Sequence, residues 1–275
     1  MPRKRAAGPS APADKPVIAR RRNGAMEIRL NRPDKLNALT QAMTEDIRRA
    51  LVAAETDRRV HAVILCGDDR AFCSGSDIGG PPVPTESRFD LYRRRFNVTE
   101  NRQLVRTLCF YTKPVISAVE GYCLGGGFEI ALWGDIIVAG EGAKFGFPEV
   151  RHGLMPGLGG TQTLPRLIGP QAAKHMIWSG RLVAGEEARA LGIAGELTAP
   201  GGALARAREM AAEYAANAPL GIMMSKQAID RGLDMTRLDG LMQEGDLFQM
   251  LYFSDDMQEG MRAFAEKRHA RFRGE

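Results

Sequence analysis

The sequence predicts an α/β fold with a helical C-terminal region, and three observations predict it. Asn23-Gly24 separates two short runs, Val17 to Arg22 and Ala25 to Leu30, in the pattern of a two-residue hairpin turn. Val60 to Cys66 is a near-continuous apolar run, as a strand buried on both faces requires, and a helical pattern precedes it. Beyond Gly160 most segments carry helical spacing. Strand, helix and strand in that order argue for crossover units around a parallel or mixed sheet.

Taken in order, residues 1–15 are rich in Pro, Ala and basic side chains and read as a disordered tail. Two antiparallel strands then open the fold around Asn23-Gly24. Thr40 is placed to cap a helix with Met43, Ile47, Leu51 and Ala54 on one face. The loop from Gly79 to Thr85, with three prolines, is not regular structure, and Ser87 to about Leu108 reads as a long helix. Pro114 to Val119 is strand-like, and Phe128 to Trp133 is helix-like. Later helices are expected at Gln171 to Trp178, Gly185 to Leu191, Ala203 to Ala216, Ile222 to Arg231, Leu238 to Leu251 and Met257 to Arg268.

The 275 residues, 44% of them hydrophobic, suffice for one large core. The net charge of +5 suggests a nucleic-acid partner only at first sight. Residues 1–22 hold seven Lys or Arg against Asp14 alone, so the body is close to neutral and a nucleic-acid partner is not expected. The four cysteines form no C-x-x-C pair and read as buried thiols of a reduced compartment. No apolar run reaches the roughly 18 residues of a membrane span, so a cytoplasmic protein without membrane attachment is expected. Neither G-x-G-x-x-G nor a P-loop is present, and the four histidines are scattered without H-x-x-x-H spacing, which argues against nucleotide binding and zinc chemistry.

One stretch organises the rest. Gly125, Gly126 and Gly127 follow a strand-like run and precede a helix-like one, so the chain turns sharply there. A bare backbone at a helix start presents free N–H groups with the positive end of the dipole behind them, which suits negative charge on oxygen. Glu129 lies on the first turn of that helix and Glu149 follows twenty residues later, after Pro148. A tight packing turn with two solvated glutamates is the alternative reading of the same residues.

Four motifs together resemble the enoyl-CoA hydratase/isomerase (crotonase) superfamily: Leu30 to Leu39, Ala71 to Ile78, Gly121 to Glu129, and Phe145 to Gly160 with the run Pro156 to Gln162. The resemblance spans about Val17 to Arg273. It implies a crotonase-like spiral of ββα repeats over residues 16–200, and over residues 201–275 a C-terminal helical region that packs against neighbouring subunits in a homotrimer or dimer of trimers.

The resemblance also implies a substrate, an acyl-CoA thioester, with no separate cofactor and no metal. Hydrating a double bond conjugated to a thioester builds an enolate on the thioester oxygen, for which the implied donors are the backbone N–H groups of Ser76 and Gly126. It places the two catalytic carboxylates at Glu129, as the base on water, and Glu149, as the proton source for the α-carbon. Coenzyme A would meet Lys35, the backbone of Cys73, Ser74 and Gly75, and, from a neighbouring subunit, Phe264 and Lys267. Retention of both glutamates favours a hydratase over an isomerase or a carbon–carbon hydrolase, and disfavours a non-catalytic RNA-binding homologue. Phe147 and Trp133 replace the smaller or polar residues of many relatives and either shape a pocket for a bulky acyl group or belong to the core. The 79–85 loop borders the acyl pocket by the same resemblance, and His152 has no assigned role.

Overall fold

A computed structural model describes residues 15–77 and 100–275. The basic tail, the 79–85 loop and the first part of the helix expected from Ser87 lie outside the described residues. The chain opens with β1 (Val17–Arg22) and β2 (Ala25–Leu30), then α1 (Gln41–Thr56), β3 (Ala62–Cys66) and β4 (Ala71–Cys73). It continues through α2 (Glu100–Cys109), β5 (Val115–Val119), β6 (Tyr122–Leu124), α3 (Gly126–Leu132), β7 (Ile136–Gly140) and β8 (Lys144–Gly146). Then come α4 (Gly160–Ile168), α5 (Pro170–Ser179), β9 (Leu182–Ala184), α6 (Gly185–Leu191), β10 (Glu196–Thr198) and α7 (Ala203–Ala215). Three helices close the chain: α8 (Pro219–Gly232), α9 (Arg237–Tyr252) and α10 (Asp255–Ala265).

Two sheets form. The larger runs in the order β1-β2-β3-β5-β7-β10 and the smaller β4-β6-β8-β9. β1 and β2 pair antiparallel, joined by Asn23 and Gly24 at φ 45° and 80°, the double positive φ of a tight hairpin turn. β3, β5 and β7 are parallel neighbours in the large sheet, and β4, β6 and β8 are parallel neighbours in the small one. Each turn of the spiral therefore leaves one strand in each sheet, the arrangement expected of the crotonase fold.

Every residue of β3 and β5 is buried, because both faces of the large sheet are covered. Val63, Leu65, Val115 and Val119 face a core shared with α1, α2 and α3, while Ile64, Ile116 and Val138 face Ala203, Ala207, Met210 and Ala211 of α7. Thr40 accepts from the Met43 N–H and caps α1, whose Met43, Ile47, Leu51 and Ala54 are buried as their spacing predicts. The sequence leaves β4, β6, β8 and β9 unmarked, since three residues hold too little alternation to register a period. It also leaves α4 unmarked, because Pro165 lies inside that helix.

Asn37 fastens the two motifs that flank α1. Its amide donates to Ala71 O at 2.8 Å and to Asp68 Oδ2 at 3.1 Å, and its Oδ1 accepts from the Arg32 N–H at 2.8 Å. The residue is fully buried at φ 56°. Asn37→Ala strands these partners, and a loss of about 2 to 3 kcal/mol is expected, read as a lower midpoint of urea unfolding.

Candidate active site

The carboxyl ends of three neighbouring strands carry the expected groups. The chain leaves β4 into Ser74-Gly75-Ser76, leaves β6 into Gly125-Gly126, and leaves β8 into Phe147-Pro148-Glu149. Crevices at the carboxyl ends of parallel strands are the usual place for a ligand in such sheets.

Backbone pairing decides which way the N–H groups point. Leu39 forms a parallel bridge with Ser76, its N–H donating to Gly75 O and its carbonyl accepting from the Asp77 N–H, both at 2.8 Å. Such a bridge uses the residues on either side of Ser76, so the N–H of Ser76 itself faces away from Leu39. Gly126 is the first residue of α3 and its N–H has no intrahelical acceptor. Among the described residues neither N–H donates a hydrogen bond.

Gly125 makes the turn between them. Its φ of 51° and ψ of −130° fall where only glycine is comfortable, and a Cβ there would lie 3.1 Å from Glu149 Oε1. The same hypothetical Cβ lies 3.7 Å from Gly75 Cα, so the two glycine segments oppose each other at backbone contact.

Glu129, on the first turn of α3, is 2% exposed. Its Oε1 accepts from the Leu158 N–H at 2.6 Å and the Gly160 N–H at 2.8 Å. Burial raises its pKa above the ordinary carboxylate value, and the N–H groups of Gly160, Leu158 and Gly157 pull it back. Glu149 sits in the short helical turn Pro148–His152. Its pKa is raised by burial first and then by the negative charge of Glu129, against its own backbone N–H, which lowers it. Glu149 Oε2 is buried and accepts no hydrogen bond among the described residues. The two N–H donors on Glu129 favour its charged form, whereas burial and the charge of Glu129 both disfavour charge on Glu149.

Lys35 ends a short helical turn, Pro33–Lys35, with an exposed side chain. Its carbonyl accepts from Ser74 Oγ at 3.5 Å, and the Ser74 N–H donates to Leu36 O at 3.0 Å, so Lys35, Ser74 and Gly75 come together. The Cys73 thiol is buried, pushed up to about 12 by that burial, and its Sγ accepts from the Gly75 N–H at 3.4 Å. Phe264, 82% exposed, and Lys267, at φ 54°, lie at the end of α10, with backbone contacts inside the C-terminal stretch. Among the described residues no hydrogen bond joins them to Glu129 or Glu149.

Among the described residues Phe147 belongs to the core rather than to a pocket wall. It is 0% exposed and stacks on Phe128 with ring centroids 4.7 Å apart. Trp133 is half-buried, and its indole N–H donates to Leu158 O at 2.7 Å. Sequence reasoning missed Asn37, Leu39 and Leu158 as parts of the site. Leu39 and Leu158 act through backbone atoms that carry no residue signature, whereas the tolerance of Asn for left-handed backbone was a usable hint at Asn37.

Two outward N–H groups near a pair of buried carboxyls are an arrangement suited to holding negative charge on oxygen beside groups able to exchange a proton. The family model described as enoyl-CoA hydratase/isomerase matches residues 20–275. The chain is 38% identical to a probable enoyl-CoA hydratase of Rhizobium meliloti over 90% of its length and 93% of the relative's. It is 34% identical to the 2,3-dehydroadipyl-CoA hydratase of Escherichia coli K12, over 94% of its own length and 98% of that protein's. An enoyl-CoA hydratase subunit of Geobacillus kaustophilus superposes with a TM-score of 0.87 at 37% identity, covering 95% of this chain and 99% of that one. The chain belongs to the enoyl-CoA hydratase/isomerase family and has the crotonase fold. Among the described residues no helix is long and apolar enough to cross a membrane.

Proposed function

We propose that the protein hydrates a 2-enoyl-CoA thioester to the 3-hydroxyacyl-CoA. The observation that carries this reading is the pair of buried carboxyls, Glu129 and Glu149, in electrostatic contact beside two free backbone donors. Glu129 takes a proton from water as its oxygen bonds to the β-carbon. The π electrons move to the thioester oxygen, where the N–H groups of Ser76 and Gly126 receive the charge, each such donor being worth about 3 to 4 kcal/mol in acyl-transfer sites. Collapse of the enolate takes the proton of Glu149 onto the α-carbon. The proton gained by Glu129 must then pass to Glu149 before the next turnover, so atoms and charge balance over the cycle.

Lys35 and the backbone of Cys73 to Gly75 are the proposed seat of the CoA nucleotide, with Phe264 and Lys267 supplied by a neighbouring subunit. The exposed apolar side chains on and beside α8 and α9, among them Leu233, Leu238, Met242 and Phe253, support a homotrimer or dimer of trimers. No group other than the CoA carried by the substrate is needed. Isomerisation of an enoyl-CoA is the second reading, because a carboxyl can also carry one proton between carbons, although the presence of both glutamates favours hydration.

The test follows the ultraviolet absorbance of the conjugated thioester with crotonyl-CoA, then longer and cyclic enoyl-CoAs. Loss of absorbance with formation of the 3-hydroxyacyl-CoA is expected; a shifted double bond without water uptake sinks the hydratase reading. The kcat/KM profile should rise as Glu129 loses its proton and fall as Glu149 does. Because burial raises both groups, both limbs are expected above the ordinary carboxylate range, as properties of the pair.

A further inference from the structure

Glu129 and Trp133 stand four residues apart on one face of the α3 segment, Trp133 capping its C-terminal end. Both reach Leu158. The carboxylate takes the Leu158 N–H at 2.6 Å and the indole N–H binds the Leu158 carbonyl at 2.7 Å, so both backbone polar groups of one residue are gripped from one helix. The turn beyond it is shaped to the rings. A Cβ on Gly159 would fall 2.7 Å from Trp133, and one on Gly160 would fall 2.6 Å from Phe147. The two aromatic side chains therefore close the space beneath the turn that delivers two N–H donors to Glu129.

We infer that Trp133 is a positioning residue for hydration, fixing the carboxylate of Glu129 by clamping the Leu158 to Gly160 turn. This rests on the hydratase reading, in which Glu129 acts on water. Without the indole donor the Leu158 carbonyl is free to turn, and its N–H leaves the carboxylate. Glu129 then loses both its fixed orientation and part of what favours its ionised form.

The surrounding charges do not confuse the effect. Burial and the backbone N–H groups of Gly160, Leu158 and Gly157 are what shift Glu129, and its own charge in turn raises Glu149. Cys73 on β4 and Cys123 on β6, packed against α3, stay neutral because burial raises both thiols. Arg166 on α4 turns away, to Gln162 and Asp234.

Trp133→Phe and Trp133→Met in the full chain remove the donor and keep apolar bulk. With crotonyl-CoA, kcat is expected to fall about ten- to a hundredfold, as for a misplaced reacting group, while KM stays close to that of the unaltered protein. The ascending limb of the pH profile should move to higher pH, by about half a unit to one unit for the loss of one or two hydrogen bonds to the charged form. A merely structural role lowers the folded fraction, measured by thermal melting, and scales the rate without moving that limb. A difference-infrared titration of the carboxyl stretch, identified by its loss in Glu129→Gln, reads the same shift without turnover. It therefore separates failure of this inference from failure of the hydratase reading. An unmoved Glu129 titration in both Trp133 variants overturns the inference.

Discussion

Glu129→Gln is expected to lower hydration of crotonyl-CoA by about two to four orders of magnitude while the protein stays folded, the range that a positioned acid or base contributes. The amide has nearly the shape of the carboxylate, and its oxygen can still accept from the Leu158 and Gly160 N–H groups, so packing of α3 survives. What disappears is the capacity to take a proton from water. Glu149→Gln should produce a loss of the same order for the opposite reason, since an amide has no proton to give to carbon. The double variant is expected to be little worse than either single one, because groups that act as a unit are not additive. Rates are compared at equal folded protein, checked by circular dichroism. Near-normal turnover in either single variant removes that residue from the mechanism.

Gly125→Ala should damage the site from the backbone side. At φ 51° and ψ −130° an L side chain is strained, at roughly 1 to 3 kcal/mol for such a residue, and here the new methyl also presses on Glu149 Oε1. Relief by rotation of residue 125 turns the Gly126 N–H away from its present direction. Loss of one such donor costs about two to three orders of magnitude in kcat. The variant should therefore melt only a few degrees lower yet lose activity far beyond its loss of fold. An activity loss no larger than the fall in folded fraction would show that the Gly126 N–H has no part in the reaction.

Some of this was legible in the chain and some was not. Asn23-Gly24 announced its hairpin because the turn needs two positive φ values, which Asn and Gly accept. Thr40 announced α1, and the run through Cys66 announced a strand covered on both faces. These are local signals. The small sheet had none, for its three-residue strands depend on neighbours brought from elsewhere in the chain. At the site, the glycine turn and the two glutamates stood out as candidates, but nothing in a twenty-residue separation says that they meet. That expectation came from the family motifs. The tie between Trp133 and Leu158 was beyond reach, since a backbone acceptor is the same for every residue. Phe147 stood out for its size beside a proline, yet size alone does not distinguish a pocket wall from the core.

Three consecutive turns of the spiral each deliver one element of the site from the end of β4, β6 or β8. Two of them offer main-chain donors, whose presence does not depend on which side chain evolution places there, and the third offers Glu149. Under the proposed chemistry, such a division would let the side chain that supplies the proton be exchanged, and with it the fate of the enolate, while the backbone donors that stabilise that enolate stay in place.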